Sequence, residues 1–115
     1  MNLQNQKPIL KQPIDEWGVT YHSEIFVKNN LFFIGKPSKI ILTPPAIVID
    51  PNWNWYLVRV IGERAELWLY GYSWGFAGEG PRALMKLLNE LGENVNINFV
   101  ANLNPSPPEP IEIEL

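Results

Sequence analysis

The stretch WYLVRVIGERAELWLYGY, residues 55–72, carries the clearest structural signal in this chain. It holds two runs, 55–61 and 65–72, that are rich in β-branched, leucine and aromatic residues, which are typical of strands. Gly62-Glu63 between them suits a tight two-residue turn with glycine in the first position. The stretch therefore predicts an antiparallel hairpin.

Pairing across this turn is self-consistent, because it places Arg59 opposite Glu66 and Leu57 opposite Trp68. In this pairing a basic residue faces an acidic one, and an apolar residue faces another apolar one. One face of the hairpin is typical of a core and carries Tyr56, Val58, Val60, Ala65, Leu67 and Leu69. The other face is aromatic but also charged.

That second face leaves two interpretations open. Trp, Tyr and Arg are enriched at interface hot spots, so the face is compatible with a surface for a partner or a second copy of the chain. It is equally compatible with a second buried side of the sheet. The interface residues of the first interpretation are Trp55, Arg59, Trp68, Tyr70 and Tyr72.

Upstream of the hairpin the pattern also favours strands. Residues 24–34, EIFVKNNLFFI, hold two apolar runs around Asn-Asn and predict a second hairpin. Residues 39–43 and 46–50 are short and β-branched, and Pro-Pro separates them as a kink or an edge bend. Residues 1–14 are polar and proline-bearing, and we expect a loose N-terminal arm.

Downstream, one helix is predicted. Leu84, Leu87, Leu88 and Leu91 follow the i, i+3, i+4, i+7 spacing of an amphipathic helix. Pro81 suits its first turn and Gly92 its C-terminal cap. Residues 95–101 alternate and predict a strand. The proline-rich tail, 104–115, ends in IEIEL, which predicts an edge strand that closes this sheet or, less simply, one on a neighbouring subunit.

Together these elements predict one α+β domain over residues 1–115. Its sheet is mainly antiparallel with about five to six strands, and one helix from the C-terminal half packs on one face. The length of 115 residues is typical of a single domain.

Composition excludes several classes of function. The net charge of −3 makes general nucleic-acid binding unfavourable. The absence of cysteine removes disulfides and thiol chemistry, and one histidine, His22, leaves little for a transition-metal site. We expect no metal and no cofactor. The N-terminus lacks an apolar signal-peptide core, and no apolar run approaches the ~20 residues of a membrane span, so a cytoplasmic location without a membrane is expected.

The junction between the predicted hairpin and helix is the best candidate site. Glycines permit close approach of a ligand, and the first N–H groups of a helix lack internal partners and attract anions. Arg82 is suited to a bidentate contact with phosphate or carboxylate, whereas Glu79 would compensate the helix dipole itself. The predicted ligand-binding residues are Trp74, Gly75, Phe76, Gly78, Glu79, Gly80 and Arg82. The alternative is a tight turn in which Trp74 and Phe76 cap the core.

The same segment, WGFAGEGPRAL at residues 74–84, resembles the W-G-Y/F-x-G-x-G-P-x-x-L signature of a family of small proteins frequent in phages, plasmids and other mobile elements. Glu79 stands where that family usually has a small residue. The resemblance implies an accessory role in a mobile element, and it implies no reaction.

The sequence therefore leaves three hypotheses. The first is a non-catalytic binding protein that holds a small anionic, nucleotide-like ligand or a host protein at residues 74–82. The second is a homo-oligomeric assembly module that uses the aromatic hairpin face and the tail. The third is a small enzyme with Glu79 or His22 as acid/base and Arg82 as charge stabiliser.

Overall fold

A computed structural model describes residues 7–13, 20–43, 57–104 and 110–115 of the chain. Five strands form one mixed sheet in the order β1-β4-β3-β2-β5. The strands are β1 (Ile9–Lys11), β2 (Pro37–Leu42), β3 (Val58–Gly62), β4 (Glu66–Leu69) and β5 (Ile111–Glu114). The helices are α1 (Thr20–Asn30), a 3₁₀ helix (Leu31–Ile34), α2 (Glu79–Glu90) and α3 (Ile97–Ala101). The α+β class is confirmed.

The central hairpin is present as β3 and β4, but its register differs from the predicted one. Arg59 lies opposite Trp68 rather than Glu66, and Val60 lies opposite Leu67. The Gly62 N–H donates to the Ala65 carbonyl at 2.9 Å, so the turn lies at Glu63-Arg64, one residue later than the predicted Gly62-Glu63. Because the shift is two residues, every side chain keeps its predicted face.

The face predicted as core is buried. Val58, Val60, Leu67 and Leu69 are inaccessible to solvent, and they pack with residues of β2 and of both longer helices in one cluster. Val27 of α1, Val100 of α3 and the buried alanine and leucines of α2 therefore belong to a single apolar layer. Trp68 and Tyr70 form a separate buried cluster.

The predictions for the two outer strands have different outcomes. The tail prediction is confirmed for β5, which pairs antiparallel with β2 and closes the chain's own sheet. The loose N-terminal arm is wrong for residues 9–11, because β1 pairs parallel with β4. The cause is tertiary: Leu10 lies opposite Leu67 and extends the apolar layer, which the polar composition of the segment concealed.

The hairpin predicted at residues 24–34 is wrong, because this stretch lies in α1 and the 3₁₀ helix. The buried residues of α1 and the 3₁₀ helix are Ser23, Val27 and Ile34, and their spacing follows one face of a helix. The usual amphipathic pattern is missing from the sequence, because the buried position 23 is a serine and the exposed positions 32 and 33 are phenylalanines. Asn30 ends the helix with a negative φ of −123° and makes no hairpin turn.

The strand predicted at residues 95–101 is also wrong, since α3 begins at Ile97. The Asn96 side chain accepts a hydrogen bond from the Phe99 N–H at 3.2 Å, which is the N-cap arrangement that asparagine favours. Val100 is buried while Phe99 is exposed, so the apparent two-residue alternation did not mark a buried face. The Asn96 cap therefore favours a helix here, despite the short alternating pattern of residues 95–101.

The predicted helix is confirmed as α2. Leu84, Leu87 and Leu88 are buried, Pro81 lies in the first turn, and Gly92 follows the helix with a φ of 107°. The strand predicted at 39–43 corresponds to β2. The strand predicted at 46–50 and the residue Trp55 lie outside the described residues. None of the described helices is long and apolar enough to cross a bilayer.

A buried hydrogen-bond network joins α1 to the ends of two neighbouring strands. The Ser23 hydroxyl donates to Gln12 Oε1 at 2.7 Å and accepts from the Gly71 N–H at 2.8 Å. Gln12 Oε1 also accepts from the Tyr70 N–H at 3.2 Å, and the Thr20 hydroxyl donates to the Gly71 carbonyl at 2.7 Å. Gly71 leaves no room for a side chain here, because a Cβ would collide with Ser23.

We expect Ser23→Ala to lower the free energy of unfolding by about 1–3 kcal/mol, because it removes the partner of the buried Gly71 N–H. Ser38→Ala is the matched control. The Ser38 hydroxyl donates to a carbonyl at the exposed surface, and its loss should cost about 0.5 kcal/mol or less. Urea unfolding of the two variants measures the difference, and equal losses would contradict the importance of the network.

Candidate functional site: the helix-start loop and the cleft between two helices

The loop before α2 is held by the chain's own contacts at its first two residues. Trp74 is 4% exposed, and its indole N–H donates to the Asn104 carbonyl at 3.3 Å. The Gly75 N–H donates to the Val100 carbonyl at 3.1 Å, with a φ of 90° that favours glycine. Trp74 therefore caps the core, as in the alternative interpretation, and its ring is not open to stack on a ligand.

The next two glycines make room for neighbouring side chains. A Cβ on Gly78 would lie 2.9 Å from the Phe76 ring, and one on Gly80 would collide with the Ser73 hydroxyl. Phe76 itself is 54% exposed and does not cap the core. The glycines of this loop are thus explained by internal packing, without a guest molecule.

Few donors are available at the start of α2. Pro81 has no N–H, and the Arg82 N–H donates to the Gly78 carbonyl at 3.0 Å, which leaves the N–H groups of Glu79 and Gly80. Glu79 is the first helical residue and brings a carboxylate to the positive end of the dipole. The Arg82 side chain is exposed. Among the predicted ligand residues, Phe76, Glu79 and Arg82 are therefore the side chains that face solvent.

The predicted aromatic interface is not an open surface where the structure describes it. Trp68, Tyr70 and Tyr72 are all buried within the chain. Trp68 lies between two cations, with Lys11 Nζ at 5.1 Å and Arg59 Cζ at 5.6 Å from its ring centroid. These distances are typical of cation–π contacts. The exposed interface is thus wrong for these three aromatics, and the buried-face interpretation holds.

A cleft of about 370 Å³ lies between α1 and α2. Its apolar part is formed by Val27, Ala83 and Leu87, and Tyr72 lines it from the segment after β4. Four charged residues complete the lining: Glu24 and Lys28 from α1, and Lys86 and Glu90 from α2. Each helix thus contributes one acid and one base, one helical turn apart.

These four charges form no ion pairs with one another in the described structure. Opposite charges at i and i+4 on a helix commonly pair. Neither helix's pair closes to within 4 Å, whereas Lys39 and Glu112 on neighbouring strands do so at 3.6 Å. The cleft therefore offers two cationic and two anionic groups to a guest.

Tyr72 contributes the uncharged hydroxyl that lines the cleft. Its side chain is 3% exposed, and its hydroxyl forms no hydrogen bond with another described residue. Burial raises the pKa of this hydroxyl above its ordinary value, and the carboxylates of Glu24 and Glu90 raise it further. Tyr72 is therefore a neutral hydroxyl at physiological pH, suited to donate a hydrogen bond to a ligand.

The cleft residues are far apart in the sequence, and no motif groups them. Glu24 and Lys28 fell in the predicted hairpin, and Lys86 and Glu90 were unassigned positions of the helix. The available signal was the i, i+4 spacing of opposite charges in both segments, which is typical of helices. Tyr72 was selected, but as an interface residue.

His22 lies elsewhere on α1. It lines a second, mainly apolar cleft of about 320 Å³ with Gln12, Pro13, Ile25, Phe26 and Asn29. Its ring centroid is 6.2 Å from that of Tyr21. No observation brings His22 or Glu79 into a catalytic arrangement with Arg82. Within the four described ranges, no three His, Asp or Glu residues lie close enough together to hold a metal ion.

Comparison of the chain with models of known protein families, with curated protein sequences and with solved structures gave no match. The fold and the cleft are therefore interpreted from their own geometry.

The position of Tyr72 predicts a pH dependence. Because its folded pKa is above its unfolded pKa of about 10, its contribution to stability is complete below pH 10 and is lost as the pH rises further. Relative to Tyr72→Phe, the wild-type free energy of unfolding should fall by about 1.4 kcal/mol per pH unit above about pH 10. Urea unfolding between about pH 9 and pH 11 measures this, with Tyr21→Phe as the exposed control. Parallel curves for the wild type and Tyr72→Phe would contradict the buried hydroxyl.

Proposed function

We propose that the chain is a non-catalytic binding protein that holds a small zwitterionic ligand in the cleft between α1 and α2. The observation that carries this proposal is the set of four charges around the Tyr72 hydroxyl. None of these four charges forms an ion pair in the described structure. A ligand with one positive and one negative group would pair with both kinds of side chain. A purely anionic ligand would meet the two carboxylates as well as the two lysines.

The size of the cleft limits the ligand. Ligand pockets commonly enclose roughly 300–1,000 Å³, and about 370 Å³ lies near the lower end of that range. A free amino acid or a dipeptide has the required charges and fits this volume. Val27, Ala83 and Leu87 would contact an apolar side chain of such a ligand.

Binding is supported over catalysis by the chemistry of the lining. Two lysines, two glutamates and one neutral tyrosine can pair with charges and donate hydrogen bonds. The raised pKa of Tyr72 disfavours the phenolate that proton abstraction would require. The wider role, as an accessory protein of a phage or other mobile element, is supported by the resemblance of residues 74–84 alone.

The proposal is tested by a thermal-shift panel of free amino acids, dipeptides and nucleotides. A probe present at 100 times its Kd stabilises the folded state by about 2.7 kcal/mol, which raises the unfolding temperature by several degrees. We expect zwitterions to produce the shift. Isothermal titration then gives the Kd, and Lys86→Met should weaken it roughly tenfold through loss of a charge-assisted contact.

Arg82→Met is the matched control. It removes a long cationic side chain one turn from Lys86 on the same helix, but outside the cleft. If Arg82→Met loses binding while Lys86→Met keeps it, the ligand occupies residues 74–82, as the sequence-based hypothesis holds. A panel without any shift, or a shift that is unchanged in both Lys86→Met and Tyr72→Phe, would overturn the cleft proposal.

A further inference from the structure

The two ends of the sheet are unpaired strands. β1 has β4 as its hydrogen-bonded neighbour and β5 has β2, and within the described residues neither strand has a second neighbour. Such edges present free N–H and C=O groups that are able to pair with another chain. β1 runs parallel to β4, whereas the remaining neighbours are antiparallel, so β1 and β5 run in opposite directions.

The outward-facing residues of each edge follow from the hydrogen bonds that face inward. The Gln12 N–H donates to the Trp68 carbonyl and the Pro8 carbonyl accepts from Glu66, so the backbone of Ile9 and Lys11 faces outward. On β5, the Leu115 N–H donates to the Ser38 carbonyl. By alternation, Glu112 and Glu114 direct their backbone groups outward.

The side chains of these outward-facing residues are complementary. Lys11 is exposed at the β1 edge, and Glu112 and Glu114 are exposed at the β5 edge. All three point to the same face of the sheet, opposite the apolar layer to which Leu10 and Ile113 belong. One edge therefore presents a base and the other two acids, of which Glu112 also pairs with Lys39 of the neighbouring strand at 3.6 Å.

We propose that a second copy of the chain adds its β5 to the free edge of β1, in an antiparallel, head-to-tail arrangement. One register matches the outward backbone groups, the charge of Lys11 and the apolar layer at once. It pairs Lys11 with Glu112 and Ile9 with Glu114 as hydrogen-bonded pairs, and it places Leu10 opposite Ile113 on the apolar face. The apolar layer then continues from one copy into the next.

Pairing of two β5 edges is disfavoured by the same side chains. Two β5 strands that match their isoleucines in antiparallel pairing bring Glu112 opposite Glu112, and like charges directly opposite are destabilising. The charges of β5 thus favour the β1 edge over a second β5 edge as its partner. Because a head-to-tail contact uses two different surfaces, it leaves both ends free to continue, and it forms open chains or rings instead of a closed pair.

The test is sedimentation and light scattering of the full chain over a concentration series at low ionic strength. We expect the average mass to rise steadily with concentration, and added salt to reduce the rise. Lys11→Glu and Glu112→Lys should each weaken association roughly tenfold, because each places like charges opposite one another. The double variant K11E/E112K restores opposite signs and should recover association.

Two charge reversals away from the edges are matched controls: Arg64→Glu in the hairpin connection and Glu93→Lys after α2. Both should associate like the wild type. Glu112→Pro tests the backbone separately, because proline removes an outward N–H and leaves the inward bonds of Ile111 and Ile113 to β2. Thermal unfolding of each variant checks that it is folded. A wild type that stays monomeric throughout, or folded edge variants that associate unchanged, would overturn the proposal.

Discussion

The hydrogen bond from the Gly71 N–H to the Ser23 hydroxyl holds α1 in its position on the sheet, and the cleft between α1 and α2 depends on that position. Ser23 is buried, so its hydroxyl must be satisfied, and it is satisfied by the ends of two strands at once. The residues next to this bond in the chain are Glu24 and Tyr72. The contact that holds the helix therefore also brings the two walls of the cleft together.

The apolar layer and the polar network have different roles. The buried leucine, isoleucine and valine side chains of the sheet and of α2 supply most of the area removed from water, and this driving force is not directional. It would tolerate several positions of a helix as weakly amphipathic as α1. The hydrogen bonds among Gln12, Ser23 and Gly71 have narrow geometry, and they select one of these positions.

Charge is distributed on this molecule in two separate patterns. In the cleft, acid and base alternate along α1 and α2 without closing ion pairs, and a zwitterionic ligand matches that pattern. At the sheet edges, Lys11 and the two glutamates of β5 lie on opposite ends, which matches a neighbouring copy. Neither pattern is visible in the net charge of −3, because both depend on where the residues lie in the fold.

Elements with a local signal can be predicted from the amino-acid pattern alone. The central hairpin, α2 with Pro81 and Gly92, β2 and the β5 strand follow from strong periodicity and from the preferences of proline and glycine. The tertiary structure alone decided α1, α3 and β1, because their segments carry conflicting or weak patterns. It also determined the register of the hairpin. A shift of two residues keeps every side chain on the same face, so the alternation of apolar and polar residues cannot distinguish the two registers. The candidate cleft belongs to the second group, since its lining residues are adjacent only after two helices pack together.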